Sequence, residues 1–107
     1  MRLRAACLAA FIALTLCIPA SACSLEAMRR LMASSDEHVE WADFWSDLDA
    51  REARAELGYA QADLRTLGRM IQDRDCDDTP AVTAMRRAFS SAAAACSRRQ
   101  GLASARP

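Results

Sequence analysis

Seven apolar residues recur through the middle of the chain with alternating gaps of three and four: Ala50, Ala53, Leu57, Ala60, Leu64, Leu67 and Ile71. That spacing keeps one stripe on one side of an α-helix, the seam by which a helix packs lengthwise on another. A second stripe follows in Val82, Met85, Phe89, Ala92 and Cys96. Breakers are rare, with three Gly and three Pro in 107 residues. No β-branched run of period two appears, so no strand is predicted. The chain is therefore expected to be all-α.

The first 22 residues read differently. Arg2 and Arg4 form a basic start, Ala5 to Ile18 carry no charge, and Pro19 and small residues follow. This is the layout of a secretory signal peptide. Its apolar stretch falls short of the roughly 20 residues a spanning helix needs. Ala20 and Ala22 satisfy the small-x-small rule for cleavage before Cys23. The segment Ala20-Ser21-Ala22-Cys23 also resembles a bacterial lipobox, in which the Cys is lipidated and becomes the first residue. It departs from that pattern at Ala20, where Leu is usual. The resemblance implies lipid on Cys23 and membrane anchoring. The expected division is 1–22 signal peptide, 23–101 helical domain and 102–107 disordered tail.

Cys7 and Cys17 leave with the signal, so Cys23, Cys76 and Cys96 remain. An odd count in an exported protein needs an explanation. Lipid on Cys23 would leave Cys76 and Cys96 as a candidate disulfide in an oxidising compartment. Geometry opposes that pairing. Cys96 follows the cap at Thr79 by 17 residues, about 25 Å along a straight helix. A disulfide needs Cα atoms within about 7 Å. The remaining choices are a break at Ser90-Ser91, a bond between chains, or Cys96 as a small core residue.

Ser24 is expected to cap a short first helix ending near Ala33. Ser34 and Glu37 have capping-box spacing and would open a second helix from Ser35 to about Arg74. Trp41, Phe44, Trp45 and Leu48 follow a different phase from the later stripe, so a kink near Ala50 or a break at Gly58 is expected. Thr79 caps and Pro80 starts a third helix to about Arg99. Asp77 and Asp78 sit at its positive end, Arg98 and Arg99 at its negative end. Gly101 is read as its stop. The result is a short N-terminal helix plus an antiparallel helical hairpin, a small bundle whose seams close within one chain or in a homodimer.

Without Arg2 and Arg4, the 14 basic residues fall to 12 against 14 acids, a net charge of −2. That balance argues against nucleic acid as a partner. Charge is uneven: 36–56 hold eight acids with Arg51 and Arg54, whereas 79–107 hold five Arg and no acid. These regions are expected to pack together or face water, with an acidic docking face as the alternative.

Residues suited to chemistry are sparse. His38 is the single histidine, and no H-E-x-x-H, nucleophile elbow, phosphate loop or C-x-x-C surrounds it. No cofactor and no enzymatic role are expected. Trp41, Phe44, Trp45 and Tyr59 are read first as core. A chain with few large apolar residues can leave a ring uncovered, so a partner-binding surface is sought at Trp41 and Trp45, rimmed by Glu40, Asp43 and Asp47. The leading expectation is an exported bacterial envelope lipoprotein acting by contact with another envelope protein. The alternative is a free periplasmic or secreted binding protein such as an inhibitor, chaperone or effector. A third reading is a metal sensor using His38, Met85, Cys76 and nearby acids.

Overall fold

The computed structural model describes residues 23–73, 76 and 78–105. Residues 1–22, read as a signal peptide with Cys7 and Cys17, the expected helix end at Arg74, Asp77 with its expected place at the start of the third helix, and Arg106 and Pro107 lie outside the described residues. Among the described residues three helices follow one another: α1 (Leu25–Trp45), α2 (Ala50–Ile71) and α3 (Pro80–Ala105). No strand occurs among the described residues, so the all-α expectation holds. None of these helices is long and apolar enough to cross a membrane.

The division into helices differs from expectation. Ser24 does cap α1, its hydroxyl accepting from the Ala27 N–H at 3.2 Å. The helix then passes through Ser34 and Ser35 without a break and runs 21 residues, so it is not short. Ser34 does not cap. Its hydroxyl donates across to Asp63 on α2 at 2.6 Å, and Ser35 is buried in the helix interface. The chain breaks just before Ala50, the first of the two places expected. The amides of Leu48 and Asp49 bond the Trp45 carbonyl at 2.9 and 2.8 Å. Asp49 then caps α2, accepting from Arg51 and Glu52 at 3.0 and 3.4 Å. Gly58 sits in unbroken helix.

The α2 stripe faces inward as its spacing requires: Ala53, Leu57, Ala60, Leu64, Leu67 and Ile71 are all buried. Thr79 caps α3 as expected, its hydroxyl accepting from Val82 at 3.2 Å. Gly101 does not stop the helix, which continues to Ala105. Residues 102–105 are therefore helical, and the expected disordered tail does not begin there.

Ser34 meets Asp63, and His38 meets Glu56, so α1 and α2 are antiparallel. Leu57 meets Cys96 at one end of the α2–α3 pair, and a Gly68 Cβ would lie 3.0 Å from the Phe89 ring at the other, so these two are antiparallel as well. The result is an up-down-up bundle in which α2 packs on both neighbours. The α2 seam closes within one chain. Its core joins Met28, Ala60, Leu64, Leu67, Ile71, Cys76, Val82 and Cys96. Met28, Leu64, Leu67 and Ile71 supply its larger side chains, and Ala60, Cys76 and Cys96 its small ones.

The acidic and Arg-rich regions do meet. Arg99 reaches Asp43 with two bonds, Nε to Oδ1 at 3.1 Å and Nη2 to Oδ2 at 3.3 Å. At the other end of the bundle, Cys23 is bonded to Cys76, with Cα atoms 5.1 Å apart. The candidate Cys76–Cys96 pairing is thus not formed. Helix α3 is continuous, which carries Cys96 away from the loop, and Cys96 is a free thiol buried in the core.

Candidate functional site

Positions 28, 35 and 42 of α1 lie seven apart and are all buried. They mark the side of the helix that faces the bundle. Trp41, Phe44, Trp45 and Leu48 follow spacings of three and four on another side, which is one continuous face of a helix and its first following turn. Trp41 is 45% exposed, Phe44 54% and Leu48 67%. Trp45 is half-buried. The core reading of these rings is therefore corrected: the buried positions of α1 hold Met, Ser and Ala, and the large rings lie outside them.

The rings hold one another in place. Trp41 and Phe44 meet edge to face with centroids 5.6 Å apart, and Phe44 and Trp45 at 5.1 Å. Edge-to-face pairs at this separation are favourable beyond their buried area. Phe44, named by sequence in the same stripe but not among the expected partner-binding residues, packs between Trp41 and Trp45.

The three acids named with this face divide. Glu40 is exposed beside it. Asp43 turns to the opposite side and binds Arg99. Asp47 is exposed in the turn below. Beyond Asp43, a cavity of about 190 Å³ lies between the three helix ends, lined chiefly by Ala42, Ala50, Ala53, Leu57 and Leu102. The Asp43–Arg99 pair stands on its wall.

His38 lies half-buried between α1 and α2. Its Nδ1 is 2.6 Å from Glu56 Oε2, its Nε2 is 4.0 Å from Asp63 Oδ2, and its ring is 5.3 Å from that of Tyr59. Serine, histidine and carboxylates thus converge, but the Ser34 hydroxyl donates to Asp63 and not to the imidazole. A nucleophile needs its base within hydrogen-bond reach, so this cluster is arranged to fasten two helices.

The residues of the metal reading are not brought together. Cys76 is bonded to Cys23, His38 is bonded to Glu56, and Met85 packs on the core. No three His, Cys, Asp or Glu side chains converge as a metal site among the described residues. Cys96 is also set apart: burial pushes its thiol above the ordinary value of 9.0, against the opposing pull of the Arg99 charge. A neutral buried thiol is a poor nucleophile.

Comparison with known proteins adds no relative: no family model, curated protein or solved structure matches the chain.

Proposed function

We propose that this chain is an exported helical protein that acts by contact with another protein, through the face formed by Trp41, Phe44, Trp45 and Leu48. The observation that carries this reading is the exposure of Trp41 and Phe44 on one side of α1, with Phe44 packed edge to face on both Trp41 and the half-buried Trp45. Large rings held rigid at a surface offer much contact area at little entropic cost, and such residues dominate interface energetics. Export rests on the signal layout of residues 1–22.

Of the two exported forms, the Cys23–Cys76 bond supports the free one. A lipidated Cys23 has its sulfur in a thioether and has none left for Cys76. Intact mass of the mature protein from its native host, before and after reduction, tests this. An unmodified chain starting at Cys23 that gains two hydrogens on reduction supports the free, disulfide-bonded form. A lipid-sized increase on Cys23 reinstates the anchored lipoprotein.

The contact itself is tested with a photocrosslinker replacing Leu48 and, separately, exposed Ala94 on α3. A defined adduct from position 48 alone, lost in Trp41→Ala, supports the proposal. Equal labelling from both positions opposes it.

A further inference from the structure

We infer that the partner seated on the Trp41–Phe44–Trp45 face is a cationic amphipathic helix of another protein, one that sets Lys or Arg beside an apolar stripe. This rests on the contact reading above and adds the chemistry of what is bound. The apolar part of the face is Trp41, Phe44, Trp45 and Leu48, all on one side of α1 and its turn. An apolar stripe on a helix is the complement of such a face.

The surroundings decide the charge of the occupant. Asp36, Glu37 and Glu40 are exposed on the same half of α1, and no ion pair joins them to Arg51 or Arg54 among the described residues. The last turn of α1 carries no basic residue of its own, and the one cation that reaches it, Arg99, is paired with Asp43 on the opposite side from the rings, so the negative end of the helix dipole adds to the attraction for a cation beside Trp45. Carboxylates, a helix C-terminus and indole faces all attract a cation, the last through the ring quadrupole. The same charges disfavour an anionic helix and an anionic lipid surface.

The face carries its own reporters, because the chain has two tryptophans and both are here. The probes are three synthetic helices of about five turns with an identical Leu stripe and a polar side of Lys, Ser or Glu. Tryptophan emission of the mature protein is followed as each is added. The Lys–Leu helix is expected to give a saturable blue shift, weakening as salt is raised through the physiological range. Its affinity is expected to exceed that of the Ser–Leu helix about tenfold or more, and the Glu–Leu helix should bind weakest.

Phe44→Ala keeps both reporters and should cost about tenfold in affinity. Glu37→Gln with Glu40→Gln should cost about threefold to tenfold. Glu26→Gln, at the far end of α1, removes the same kind of charge and should cost nothing. Circular dichroism confirms that each variant keeps its helix content.

Equal binding of all three helices overturns the cationic class and leaves the contact reading standing. Binding of none of them overturns both. Sedimentation that shows a dimer dissolved by Phe44→Ala makes a second copy the occupant and overturns the inference. An equal blue shift with zwitterionic lipid vesicles assigns the face to lipid and overturns it as well.

Discussion

Gly58 and Gly68 are both interior to α2, yet they have opposite surroundings. A Cβ built on Gly58 meets nothing within 4 Å, while one on Gly68 lies 3.0 Å from the Phe89 ring. A helix-interior glycine costs about 1 kcal/mol relative to alanine. Gly58→Ala should therefore stabilise by about 0.5–1 kcal/mol, and Gly68→Ala by clearly less, as read from urea denaturation midpoints. Cys96 gives a second residue-scale test. Its thiol titrates higher in the folded chain than its ordinary 9.0 because burial disfavours the thiolate. Above that value the unfolded chain has released its proton while the folded one retains it. The contribution of Cys96 is full below pH 9.0 and is lost as pH rises beyond. Cys96→Ala should flatten the fall in stability through that range, and in the wild type iodoacetamide should label Cys96 only on unfolding. At this scale the sequence was legible where a residue acts on its own backbone, as Ser24 and Thr79 do. It was illegible where a side chain reaches another helix, as Ser34 does to Asp63.

The elements show why one helix was read correctly and another was divided in the wrong place. The α2 stripe is written in Ala, Leu and Ile, so its period is visible. The inward side of α1 is apolar at Leu25, Met28, Met32, Val39 and Ala42, but its stripe is interrupted by the buried Ser35. The rings that follow, Trp41 and Phe44, face outward. Ser34 and Ser35 resemble a helix start because serine hydroxyls compete for backbone amides, but across the interface Asp63 offers the Ser34 hydroxyl a carboxylate. The helix start that does exist after this point is Asp49. Asp49→Ala removes the acceptor for two α2 amides and should cost about 1 kcal/mol. Ser34→Ala leaves a half-buried carboxylate short of one donor and should cost about 1–2 kcal/mol. Were Ser34 a cap instead, its loss would fray α1 near residue 34. Hydrogen exchange should show that segment protected in Ser34→Ala, with the loss of stability global.

At the scale of the whole molecule, the bundle has one closed end and one open end. Cys23, Leu25, Met28, Ile71 and Cys76 gather at the first, and the disulfide joins the start of α1 to the loop between α2 and α3. The aromatic face and the cavity lie at the other. That pairing was not legible in sequence because Cys23 and Cys76 are 53 positions apart, and only the up-down-up packing brings them together. A loop of that length should restrict the unfolded chain by about 4 kcal/mol in the chain-entropy picture, with measured losses more often about 2–4 kcal/mol. A domain of this size buries little surface and has modest stability to lose. Reduction, or Cys76→Ser, should therefore lower the urea midpoint by an amount worth about 2–4 kcal/mol. Under native conditions, hydrogen exchange should accelerate first at residues 25–33 and 78–85. Residues 41–57 should change least, because the Arg99–Asp43 pair and the Asp49 cap hold that end without the disulfide. Tryptophan emission should then stay nearly constant while the far end loosens. If Cys76→Ser instead leaves the midpoint of the protein from its native host unchanged, the bond is not present in that form, and Cys23 carries something other than Cys76.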